Sequence, residues 1–169
     1  GKLNFSFDEV SGRIQRVFST HSAFAAIDRS GRVFTWGDQD GGGDSTEVGQ
    51  DLSENIQTVA STRSAFAALN SDGEVVAWGN PNHGGDISDV RNLNKETVSH
   101  IFANKKAFAA LKTNGSVVAW GSSNNGGDTS GVAKQLRDSV RQIYATNGAF
   151  AALKSDGSLV TWGNPKRGG

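Results

Sequence analysis

The tetrapeptide Ala-Phe-Ala-Ala begins at Ala23, Ala65, Ala107 and Ala149, each start 42 residues after the last. The tryptophans Trp36, Trp78, Trp120 and Trp162 keep the same spacing, as do Gly37, Gly79, Gly121 and Gly163 just after them. The glycines Gly31, Gly73, Gly115 and Gly157 and the doublets opening at Gly42, Gly84, Gly126 and Gly168 obey it too. No insertion or deletion breaks the phase. A fixed period of this length restricts the fold to a repeat architecture, in which each unit is too small to bury its own apolar face and stacks on its neighbours.

The third copy shows what one unit contains. Ile101-Phe102-Ala103 is short and apolar and reads as a first strand. Ala107–Leu111 reads as a second, and Val117–Trp120, rich in β-branched and aromatic residues, as a third. Between the last two lies Asn114-Gly115, a strong hairpin signal; the sibling turns carry Asp72-Gly73, Asp156-Gly157 and Ser30-Gly31. The remainder changes period. Val48, Leu52 and Ile56 stand at i, i+4 and i+8, and Val132, Leu136 and Val140 repeat this; Val90, Leu93 and Val98 fit one helical face. Asp44, Asp86 and Asp128 occupy the N-cap position, and Glu47 and Asp89 three residues later resemble a capping box. The expected unit is therefore three strands and a helix of about two to three turns.

The expected organisation is a single repeat domain over 1–169, with units at 17–58, 59–100, 101–142 and 143–169. Residues 1–16 form an N-terminal cap or closing segment. In it Leu3, Phe5 and Phe7 alternate as in a strand, while Val10 and Ile14 match Leu52 and Ile56.

Composition removes several function classes. Lys plus Arg and Asp plus Glu are both 17, a net charge of zero, which argues against a domain built on phosphate neutralisation. There is no cysteine, so thiol catalysis, disulfides and Cys-ligated zinc are excluded. No apolar run approaches the ~18 residues of a membrane span.

The stretch Ala107-Phe-Ala-Ala-Leu-Lys-Thr-Asn-Gly-Ser-Val-Val-Ala-Trp-Gly121, with its later Gly126-Gly127, resembles the repeat of the RCC1 (regulator of chromosome condensation) family. All four copies carry the pattern, so the resemblance covers essentially the whole chain. It implies a mainly β fold, an RCC1-like β-propeller, here with four blades of three strands plus a short helix each. An open or solenoidal array of βββα units is the alternative. The present unit is shorter than the family's, its helical segment stands where a fourth strand is expected, and four units are fewer than the usual ring.

No catalytic residue is expected, because no nucleophile, acid or base repeats or converges. No cofactor is expected either, since Walker and dinucleotide fingerprints are absent. The tryptophans Trp36, Trp78, Trp120 and Trp162 and the phenylalanines Phe24, Phe66, Phe108 and Phe150 read as structural core. Oxygen-bearing residues before the glycine doublets loosely suit calcium, chiefly Asp38, Asp40 and Asp44, but no bidentate Glu completes them, and turn and cap roles account for them better. His21, His83 and His100 share no phase and no metal-ligand spacing.

The positive signal is variation on a constant frame. The residues preceding each Ala-Phe-Ala-Ala are Thr20-His21-Ser22, Thr62-Arg63-Ser64, Asn104-Lys105-Lys106 and Thr146-Asn147-Gly148. In a propeller they form loops on one rim, and the expected binding residues are His21, Ser22, Arg63, Ser64, Lys105, Lys106, Asn147 and Gly148. The reading is a non-catalytic scaffold for protein–protein interaction or assembly, the role the RCC1 resemblance implies, with a protein partner, no nucleic acid and no membrane span. Homo-oligomers or a larger assembly fit it as well. The alternatives are a lectin-like or adhesive extracellular module, calcium-assisted, and a structural subunit of a larger complex.

Overall fold

The computed structural model describes residues 5–169. Twelve strands form four separate antiparallel sheets of three. Blade 1 holds β1 (Ile14–Ser19), β2 (Ala23–Asp28) and β3 (Val33–Gly37). Blade 2 holds β4 (Ile56–Ser61), β5 (Ala65–Asn70) and β6 (Val75–Gly79). Blade 3 holds β7 (Val98–Ala103), β8 (Ala107–Lys112) and β9 (Val117–Gly121), and blade 4 holds β10 (Val140–Ala145), β11 (Ala149–Lys154) and β12 (Leu159–Gly163). Each blade is a meander with its Ala-Phe-Ala-Ala strand in the middle, pairing Phe with Trp across the hairpin. The sheets do not close into a ring.

The central strand explains the packing. In blade 2, Ala65 and Ala67 pack against blade 3, whereas Phe66, Ala68 and Trp78 pack against blade 1. Both faces are dry, so the strand is apolar throughout rather than alternating. The small alanines let successive sheets approach. Each interface has one composition: from the earlier blade come Ala23, Ala25, Ile27 and Val33, from the later blade Ile56, Val59, Phe66, Ala68 and Trp78, with Leu52 of the connection between them. The interfaces of blades 2 and 3 and of blades 3 and 4 repeat this set, around Leu93 and Leu136.

Two expectations need correction. The connection is not a helix of two or three turns. It contains single turns at Thr46–Val48 and Ser130–Val132, and residues 86–97 hold turns alone. Asp44 Oδ1 accepts from Thr46 N at 2.9 Å, bending the chain instead of capping a helix. Ile56, Val98 and Val140 belong to β4, β7 and β10, and the left-handed residues Asn55, Asn92 and Ser139 (φ 63° each) stop any helix before it reaches them. First strands therefore open earlier than expected, at Val98 rather than Ile101, with a register irregularity before His100.

The second correction concerns the N-terminal strand. Residues 2–4 of that expectation lie outside the described residues. Phe5 and Ser6 are in no strand, and Phe7–Val10 is one helical turn, α1, whose capping box is made by Ser6 and Glu9. Phe5 packs edge-on against Phe34 and Trp36 of blade 1, at centroid distances of 5.0 and 6.0 Å. Val10 is buried, as Leu52 is one repeat later.

Candidate protein-interaction surface

Each loop approaching the central strand is fixed by its first residue. The Thr62 hydroxyl accepts from Ala65 N at 3.1 Å and donates to His83 O, in the loop after β6, at 3.0 Å. Thr20 and Thr146 do the same, donating to Gly41 O and Arg167 O at 2.9 Å. Asn104 splits the two roles between its amide atoms. Its Oδ1 accepts from Ala107 N at 2.9 Å, and its Nδ2 donates to Asn125 O at 2.6 Å. Sequence reasoning grouped these four with the variable loop residues. They are staples, and the recurrence of an oxygen-bearing side chain three residues before the alanine was the signal that could have found them.

The two residues after each staple have their backbone held by hydrogen bonds. The carbonyls of Ser22, Ser64, Lys106 and Gly148 accept from Asp38, Asn80, Ser122 and Asn164 N–H at 2.8–3.0 Å. Across blades, His21 N donates to Arg63 O and Arg63 N to Lys105 O, both at 2.9 Å. His21, Ser22, Arg63, Lys105 and Asn147 are exposed, Ser64 and Lys106 half-buried, and Gly148 buried beneath the Arg167 side chain. The loops of blades 2, 3 and 4 converge on an open depression of about 690 Å³ lined by Thr62, Asn104, Lys105, Thr146 and Asn147.

This rim is basic. His83 has its pKa lowered first by burial and then by the Lys106 and Arg63 charges, which places both cations in its field. Among the described residues neither Arg63, Lys105 nor Lys106 makes an ion pair; those present are Arg13–Asp28 and Lys154–Asp138. The balancing carboxylates lie elsewhere. Asp40, Asp44, Glu47, Asp51, Glu74 and Asp86 line a groove of about 900 Å³ between the first connection and blade 2, with no Lys or Arg on its walls. A chain of zero net charge thus separates its charges spatially.

Of the residues that loosely suited calcium, Asp38 and Asp44 act as turn formers. Asp38 Oδ1 accepts from Gly41 N at 2.9 Å, and Asp44 holds Thr46; Asp40 is exposed in the same loop. Among the described residues no group of three His, Cys, Asp or Glu side chains is arranged to hold a metal. Trp78, Trp120 and Trp162 are buried, each donating Nε1 to Gly42, Gly84 or Gly126 O of the preceding blade at 2.9–3.0 Å. Phe66, Phe108 and Phe150 stack on them inside the interfaces. Phe24 departs from the expected core role: it is exposed, where its equivalents Phe66, Phe108 and Phe150 pack into the interface clusters, and Trp36 is half-buried. Among the described residues no helix is long and apolar enough to cross a membrane.

No family model matches the sequence, and no curated protein does. Solved structures do match. Prp20p of Saccharomyces cerevisiae superposes with a TM-score of 0.65 at 23% identity, covering 90% of this chain and 45% of its own. Human WBSCR16 gives 0.60 at 19% identity, covering 90% and 48%. The CRINKLY WD40 ectodomain of the Arabidopsis thaliana receptor kinase ACR4 gives 0.58 at 16%, covering 89% and 49%. This chain therefore spans about half the length of each of these proteins. In fold, it is an array of four RCC1-like β-propeller blades.

Proposed function

We propose that the chain is a non-catalytic protein-interaction scaffold that binds an acidic protein segment across the rim formed by Arg63, Lys105 and Lys106. The observation that carries this reading is the contrast within the approach loops. Their backbone is locked by Thr62, Asn104 and Thr146, whereas the next side chains differ from blade to blade and hold cations without carboxylate partners. A rigid frame with variable projecting charges suits recognition, since little order must be imposed on binding. The fold agrees with such a role: the Prp20p structure is described with its binding to Gsp1p and histones, and yeast RCC1 is seen bound to Kap60. The Thr20, Thr62 and Thr146 hydroxyls and the Asp38 and Asp44 carboxylates are engaged in staples and turns, which supports binding over chemistry.

A fluorescein-labelled oligoglutamate peptide, titrated by anisotropy, tests this. Binding should weaken on the order of tenfold or more in Arg63→Ala/Lys105→Ala/Lys106→Ala and fall steeply with salt. Unchanged affinity in the triple variant would remove the rim from the interaction. Tighter binding of a single-stranded oligonucleotide through the same three residues would replace the protein partner by nucleic acid.

A further inference from the structure

In blade 2, β6 is paired on one side only, with β5. The bonds from Asn70 N to Glu74 O and from Asn80 N to Ser64 O fix the alternation along this hairpin. Val76 and Trp78 therefore bond to β5, whereas Val75 and Ala77 turn their N–H and C=O outward. The first outward pair is already met in the manner of a strand. Asn94 Oδ1 accepts from Val75 N at 2.8 Å, and Asn94 Nδ2 donates to Val75 O at 2.9 Å. Beyond Asn94 the pairing stops: among the described residues no group bonds to Ala77 N–H or C=O. Such a strand edge is a template for another extended chain.

This edge forms the floor of the acidic groove. All five residues of β6 line it, so the groove follows the strand along its length. The connection before blade 2 supplies one wall, and the chain after β6 supplies the other. Asp44 and Asp86 hold turns through Thr46 N and Ser88 N. Asp40, Glu47 and Asp51 are exposed, and among the described residues no hydrogen bond or ion pair engages their carboxylates. Half-buried Val48, Val76 and Ile87 lie on the same surface.

We propose that this groove takes an extended, lysine- or arginine-rich segment of a partner protein, added to blade 2 as a fourth strand beside β6. The occupant is extended because the floor offers a backbone N–H and C=O at Ala77, continuing the pairing that Asn94 begins. A helix could not meet these groups, since its own N–H and C=O are spent internally. The occupant is basic because the walls carry carboxylates and neither Lys nor Arg. Valine-like residues between the charged ones find Val48, Val76 and Ile87. The inference does not rest on the basic rim, because Arg63, Lys105 and Lys106 do not line the groove.

The probe is a fluorescein-labelled peptide of alternating lysine and valine, long enough to lie along Val75–Gly79, titrated by anisotropy. Its binding should weaken about tenfold or more in Asp40→Asn/Glu47→Gln/Asp51→Asn, a variant that leaves the turns at Asp44 and Asp86 in place. Circular dichroism matching the unaltered chain shows that this variant is folded. The same peptide methylated on alternate backbone nitrogens keeps its charge and should also bind about tenfold or more weakly, because it cannot pair with the edge. Arg63→Ala/Lys105→Ala/Lys106→Ala should bind the peptide as the unaltered chain does, which separates the groove from the rim. No binding, or equal affinity in the carboxylate variant, would overturn the assignment. Equal affinity for the methylated peptide would overturn strand addition. Calcium binding through the same three carboxylates, followed by tryptophan fluorescence while the peptide fails to bind, would assign the groove to a cation instead.

Discussion

The ring of Phe66 fills the space that a side chain on Gly42 would need. A Cβ there would stand 2.7 Å from Phe66 Cδ2, and the glycine sits at φ 94°. The same pairing joins Gly84 to Phe108 and Gly126 to Phe150. The loops after the first three Trp-Gly pairs thus offer the next blade a bare backbone surface, and a glycine carbonyl of each takes the indole N–H of that blade's Trp. The doublet glycine and the Phe of the following repeat act as one interlocking element, which is why both recur in phase.

Gly84→Ala should therefore lower stability by about 2–4 kcal/mol, from left-handed backbone strain together with overpacking against Phe108. Gly12→Ala is the control. Gly12 also has positive φ (74°) but nothing within 4 Å of an added methyl, so its cost should be about 1 kcal/mol. Urea denaturation of both variants checks this, and equal losses would assign the effect to backbone strain alone.

The staples are chemically interchangeable if one side chain supplies both a donor and an acceptor. Asn104→Thr should change stability by less than about 1 kcal/mol, because Thr fills this role in the other three blades. Asn104→Leu strands the buried Ala107 N–H and the Asn125 carbonyl and should cost about 1–3 kcal/mol for each group left unsatisfied. Thermal or urea unfolding of the pair separates the two roles. A Thr variant as damaged as the Leu variant would show that amide geometry is required.

The strands were legible because Ala-Phe-Ala-Ala and the β-branched run before each Trp state their burial directly. The connection was not. Val48, Leu52 and Ile56 keep helical spacing, yet Ile56 is the first residue of β4, and the left-handed Asn55 turns the chain between them. An apolar period does not reveal that its last member has passed into another element. The staples were missed for a different reason: Thr and Asn look like variation until both are seen to bridge the same two backbone groups. Phe24 was misplaced because its repeat position is identical to that of Phe66, yet among the described residues no sheet packs on Phe24 as blade 1 packs on Phe66.

Position 28 of blade 1 and its equivalents in later blades give a last test, because the same site carries opposite charges. Asp28 is buried, which raises its pKa, but hydrogen bonds from Ser30 Oγ, Arg32 N and Ser30 N together with the Arg13 charge outweigh this and leave it below 3.8. The unfolded chain then binds more protons in acid. The stability from Asp28 is full above 3.8 and is lost as pH falls through the lower folded value. Lys112, two repeats later, is also buried and donates Nζ to Asn92 O. Burial lowers its pKa from 10.5, Lys95 lowers it further, and Glu96 opposes both. Between the folded value and 10.5 the unfolded chain again holds the extra proton, so stability contributed at this site rises with pH across that window. Urea midpoints followed against pH should show the acid-side slope reduced in Asp28→Asn and the alkaline-side rise reduced in Lys112→Met, each leaving the other limb intact. Identical pH profiles for the unaltered chain and both variants would mean that neither group is held away from its ordinary value by the fold.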